Sequence, residues 1–110
     1  MSQIEKKKII QGIDNFKELI ESNREYGLGR PDIVIIPNDK TKTAYIFEFK
    51  WASTKSKSSL DCITEDAVKQ IKDNKYKEGL QLIHGHKNIE CIGIGFKGKD
   101  IKIQVAKDEF

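Results

Sequence analysis

The chain has 110 residues and carries 20 Lys and Arg against 17 Asp and Glu, a formal net charge of +3. That length predicts one domain over residues 1–110, with about two-thirds of its unfolded surface buried on folding, so no metal or disulfide staple is needed for stability. No apolar run approaches the ~20 residues of a membrane span and none follows a basic start as in a signal peptide, which argues against membrane and secreted roles, while so small a positive charge permits a nucleic-acid partner without demanding one.

Residues 3–21 read as an amphipathic helix, because Ile9, Ile13, Phe16 and Ile20 recur at helical spacing while Lys6, Lys7, Asp14 and Glu18 fall elsewhere. Gly27 and Gly29 bracket a turn-rich stretch over residues 22–30, with a weak strand signal around residues 23–26. Residues 32–36 are β-branched and stop at Pro37-Asn38-Asp39-Lys40, a turn signal. The next strand, residues 43–51, alternates: Tyr45, Phe47, Phe49 and Trp51 share one face, and Ala44, Ile46, Glu48 and Lys50 the other. The two runs form an antiparallel hairpin, and the aromatic face is expected to anchor it against a helix layer. A small, polar, basic loop over residues 52–59 follows and is expected to be mobile in isolation. A second helix starts near Asp61 or Thr64, either of which can cap it. Its stripe is Leu60, Ile63, Ala67 and Ile71, and it ends near Gly79 or Gly85. Residues 89–96 and 101–105 make a second pair of strands, joined tightly through Lys97-Gly98-Lys99-Asp100. The order gives an α/β fold: a mixed β-sheet flanked by helices. Cys62 and Cys91 lack C-x-x-C spacing and read as reduced thiols of a cytosolic protein.

Glu48 and Lys50, two apart on one strand, present a carboxylate and an ammonium side by side. Asp32 opens the preceding strand, where a hairpin brings it next to Glu48. Two carboxylates and a lysine at the mouth of a sheet suit hydrolysis at phosphorus: hard oxygen ligands hold Mg²⁺ or Mn²⁺, and the lysine positions water and offsets negative charge. The plain alternative is a solvated Glu–Lys surface pair beside a turn aspartate. His84-Gly85-His86 can ligate a metal, but reads more simply as a solvated turn. Lys6, Lys7 and Lys8 read as a wet helix face.

The residues also spell a pattern. Gly29-Arg30-Pro31-Asp32, followed sixteen residues after Asp32 by Glu48-Phe49-Lys50, resembles the PD-(D/E)xK nuclease superfamily, with its restriction-endonuclease-like fold. The fuller string from Ser22 to Asp32, then Ala67-Val68-Lys69-Gln70-Ile71 with Tyr76, then Gly93-Ile94-Gly95-Phe96, is similar to the nuclease domain found at the C-terminal end of bacterial AAA-ATPase-like proteins. The resemblance covers residues 20–106. It implies a restriction-endonuclease-like core and a metal-dependent nuclease, with DNA the expected substrate and RNA the alternative. Asp32, Glu48 and the Phe49 backbone carbonyl would hold Mg²⁺ or Mn²⁺, Lys50 would be the catalytic lysine, and Gln70 would face the site. Gln70 lies at the edge of its helix's buried stripe, where an amide capping a sheet-edge backbone group is the other reading. Tyr76, six residues on, points to the other side of an unbroken helix. The pattern departs at the extra glutamate of many members: Glu5 lies near a terminus, and Glu25, the other candidate for a third carboxylate, can pair with Arg24 or Arg30 instead. Arg30, Lys55 and Lys57 are candidate phosphate contacts. No G-x-x-x-x-G-K-[ST] occurs in the sequence, so ATP coupling would need a separate ATPase partner, and a homodimer would suit so short a chain on a duplex. The rival functions are a catalytically inactive nucleic-acid-binding module and a protein-interaction module of the same fold.

Overall fold

The computed structural model describes residues 18–21, as backbone, and residues 25–106 in full. Five strands form one sheet in the order β1 (Glu18–Glu21), β2 (Ile33–Pro37), β3 (Ala44–Ala52), β4 (Ile89–Lys97) and β5 (Asp100–Val105). Two helices, α1 (Leu60–Asp73) and α2 (Tyr76–His84), connect β3 to β4. That connection makes β3 and β4 parallel, while the other neighbours are antiparallel. The sheet is therefore mixed, as the sequence pattern implies.

Residues 18–21, read as the end of a first helix, are strand instead: Leu19 pairs with Ile36 and Ile20 with Ile35. A short apolar run fits either period, and the open edge of β2, whose backbone groups need partners, decides for the strand. The remainder of that predicted helix, with Glu5 and the lysines at 6–8, lies outside the described residues. So do residues 23 and 24 of the weak strand at 23–26. Of it, Tyr26 forms only an isolated bridge to Gly29.

The face of the sheet under the helices is the reverse of the expected one. Val34, Ile36, Ala44, Ile46 and Cys91 form the core with Ile71 of α1 and Tyr76 and Leu80 of α2. Glu48 and Lys50 belong to this face. Tyr45, Phe47 and Phe49 are half-buried and Trp51 is exposed on the other, where no described helix packs. The cause lies on β4, where Gly93 and Gly95 stand opposite Glu48 and Lys50 in register. A Cβ on Gly93 would lie 2.7 Å from Val68 Cγ2, and one on Gly95 would overlap the Thr64 hydroxyl. The absent side chains let α1 settle against the sheet on that side. On the other side the rings pack on one another, with Trp51 and Phe96 stacked at 5.3 Å between centroids.

Helix α1 is capped by Ser59, whose hydroxyl accepts from the Cys62 N–H at 3.1 Å, and not by Asp61 or Thr64. Thr64 is buried, and its hydroxyl donates back to the Leu60 carbonyl. Instead of running unbroken to Gly79 or Gly85, the helix stops at Asn74, and Lys75 takes a left-handed conformation with φ 54°. Helix α2 then restarts at Tyr76 and ends on Gly85. The turn over residues 26–29 is seated on this break. Leu28 N–H donates to the Asn74 carbonyl at 2.7 Å, and a Cβ on Gly27 (φ 64°) would strike the Asn74 and Lys75 carbonyls. Gly79 meets the same turn with no room for a side chain. Among the described residues no helix is long and apolar enough to cross a membrane.

Candidate active site

Asp32 sits just before β2, beyond the last β2–β3 pair, Ile33 with Phe47. With no strand partner there, the Phe49 N–H is free, and it donates to Asp32 Oδ2 at 2.8 Å. This bond turns the aspartate toward β3 and next to Glu48. Glu48 is buried, and its Oε2 has no hydrogen-bond partner. Burial, followed by the hydrogen bond and charge of Asp32, pushes the Glu48 carboxyl up to about 8, against the opposing pull of Lys50 and of the Tyr76 hydroxyl. Two carboxyls held together in a poorly solvated place share a proton in preference to both ionising.

Lys50, the next residue on the same face, lines a cleft of about 500 Å³ with Gln70, Asn74, Asp73, Lys69 and Asp66 of α1 and its C-terminal end. Gln70 therefore faces the cleft that Lys50 faces. The β2–β3 hairpin brings Asp32 beside Glu48, and the close seat of α1 on β4 sets Gln70 at the cleft that Lys50 lines.

Glu25 does not join them. It is exposed and forms an ion pair with Arg30 at 3.3 Å, and among the described residues no third His, Cys, Asp or Glu completes a metal-binding group. Arg30 is thus exposed but paired. Lys55 and Lys57 are exposed on the loop after β3. That loop, expected to be mobile, has anchors: the Lys97 ammonium donates to the Ser56 and Ser58 carbonyls at 3.2 and 2.8 Å. His84 and His86 do not make a solvated turn. His86 is buried and bonded to the Pro37 carbonyl, and His84 bonds with Tyr26. Cys62 is exposed and Cys91 buried, both as free thiols.

One continuous helix misplaces two residues: Asn74, which lines the cleft, and Tyr76, which the family pattern includes but which unbroken helical spacing turns away. Asn74 ends α1 at the rim of the cleft, and Tyr76 is turned inward by the left-handed Lys75. The signal was present in Asn74 itself, a residue suited to helix ends.

A mixed sheet with a paired aspartate and glutamate, a lysine two residues on and a helix glutamine across the cleft defines a domain of the restriction-endonuclease-like class. A family model described as the PD-(D/E)XK nuclease superfamily matches residues 15–106. The chain belongs to that superfamily, whose members are generally phosphodiester hydrolases and typically use divalent metals such as Mg²⁺. Searches of curated proteins and of solved structures found no significant match.

Proposed function

We propose that this chain is a nuclease that hydrolyses DNA phosphodiesters with Mg²⁺ or Mn²⁺ held between Asp32 and Glu48. The observation that carries this reading is the buried Glu48 oxygen without a partner, beside a second carboxylate and facing the side that bears Lys50. A hard cation fits such a pair, because it supplies the missing contact and removes the repulsion that keeps one proton in place. Asp32 Oδ2 is occupied by the Phe49 N–H, so its other oxygen is the one available. In a strand the N–H and C=O of one residue point to the same side, which directs the Phe49 carbonyl toward Asp32 and supports it as a third ligand.

A bound divalent ion would polarise the phosphoryl oxygens and lower the pKa of a coordinated water. Lys50 then holds the attacking water in line and offsets the charge that grows on the phosphoryl oxygens. Gln70, across the cleft, orients that water or a phosphate oxygen through its amide. Lys55 and Lys57 hold flanking phosphates, and a homodimer would extend that grip along a duplex. With its free thiols the chain suits the reducing cytosol.

A second reading, a module that binds nucleic acid without cutting it, draws on Glu25 being paired with Arg30 in place of serving as a third carboxylate. A plasmid and an oligonucleotide panel with Mg²⁺ or Mn²⁺ separates the two. The nuclease reading expects cleavage by wild type, its loss in Lys50→Ala with metal binding retained, and loss of both in Asp32→Ala/Glu48→Ala. Binding without cleavage under either metal decides for the inactive module.

A further inference from the structure

We infer that Tyr76 is a positioning residue of this site: its buried hydroxyl ties the α1–α2 break to the backbone that carries Asp32, and so holds Asp32 in its place beside Glu48. The inference rests on the nuclease reading above. Tyr76 is 1% exposed. Its hydroxyl donates to the Arg30 carbonyl at 3.2 Å and accepts from Asn74 Nδ2 at 3.1 Å. Arg30 precedes Asp32 by two residues, and Pro31 between them has a fixed φ, so an anchor on the Arg30 carbonyl is transmitted to Asp32 with little slack.

The surroundings are shaped to this phenol. A Cβ on Gly29 would lie 3.1 Å from the Tyr76 oxygen and 3.2 Å from the ring, closer than side chains ordinarily pack. The left-handed Lys75 turns Tyr76 inward. A non-glycine residue held at positive φ is locally unfavourable, and here the conformation delivers one buried side chain to two segments of the site. Tyr26 is as deeply buried, and its hydroxyl bonds with His84.

The test is a Mn²⁺ titration of the purified chain, read by calorimetry and by Tm, for wild type, Tyr76→Phe, Asn74→Ala and the control Tyr26→Phe. Loss of an outer-shell partner commonly weakens metal affinity by about 10-fold or more. Tyr76→Phe is therefore expected to raise the Mn²⁺ dissociation constant about 10-fold, Asn74→Ala to raise it by a smaller factor, and Tyr26→Phe to leave it unchanged, whatever each does to the metal-free Tm. The Mn²⁺ concentration giving half-maximal cleavage should move with the dissociation constant. A dissociation constant for Tyr76→Phe within twofold of wild type overturns the inference and leaves the nuclease reading standing. An equal loss in Tyr26→Phe overturns it too, since general loosening would then explain both. If wild type binds no Mn²⁺, the nuclease reading fails and this inference with it.

Discussion

Glu48 makes the metal-free protein less stable as the pH rises, and the size of the effect follows from its environment. Its carboxyl is held near 8 in the folded chain against 4.5 for the unperturbed group. The folded state therefore binds the proton more tightly than the unfolded state does. Stability from this group is fully present below the unfolded value and is lost as pH climbs through the folded one. At 1.36 kcal/mol per unit, the loss between pH 5 and pH 8 comes to about 3 kcal/mol, which for a chain of this size is roughly 10 °C in Tm. Glu48→Gln keeps the shape and a donor toward Asp32 but cannot ionise. The assay is urea unfolding of both proteins in EDTA at half-unit steps from pH 5 to pH 8. Their difference should grow in favour of the variant by about 3 kcal/mol across that range. Parallel curves would refute the argument, because Glu48 would then be as well solvated folded as unfolded. With Mn²⁺ present, wild type should recover stability most strongly at the alkaline end, where no proton need be displaced, and the variant should lose most of that gain.

Three further outcomes are expected. Ile46→Ala, a fully buried change beneath α1, should cost about 2–5 kcal/mol in denaturant unfolding. Phe47→Ala, half-buried on the opposite face, should cost less, and the reverse ranking would restore the aromatic face as the main core. Lys75→Gly relieves a positive φ and should stabilise the chain by about 0.5–1 kcal/mol after the entropy of glycine is counted, so a destabilised variant would mean that Lys75 is not strained. Lys55→Ala with Lys57→Ala should lower affinity for duplex DNA and flatten its salt dependence by about one slope unit per lost phosphate contact, with single-turnover cleavage of bound DNA little changed. An unchanged slope would remove the loop from the binding surface.

What the sequence disclosed depended on whether a feature was local. The hairpin around Pro37-Asn38-Asp39-Lys40, the strand over residues 43–51 and the closing hairpin at Gly98 are set by turn chemistry and a period of two, and all three stand in the structure. The Glu48–Lys50 side of β3 was legible as a face for the same reason. Which face a helix covers was not, because Tyr45, Phe47 and Phe49 offer more apolar surface than Ala44 and Ile46. The choice is made on another strand, by Gly93 and Gly95. Helix periodicity likewise passed smoothly through Asn74 and Lys75, since a single left-handed residue leaves no mark on the apolar spacing. The strand at residues 18–21 was missed because it answers a need of β2's edge and not a pattern of its own.

The seating of the 26–29 turn on the α1–α2 break, glycine against backbone, has a consequence for how the molecule breathes. Besides the Phe49 N–H, Asp32 has a second anchor in a segment more than forty positions further along the chain, through the Tyr76–Arg30 bond. A fluctuation that lifts α2 would remove the anchor on the Arg30 carbonyl and leave Asp32 held by the Phe49 N–H alone. On the proposed nuclease reading, cation binding and helix docking would be coupled: an ion at the carboxylates should slow amide hydrogen exchange along residues 76–84, and whatever loosens that helix should weaken the ion. The second helix is in this sense a remote gauge of whether the site is assembled.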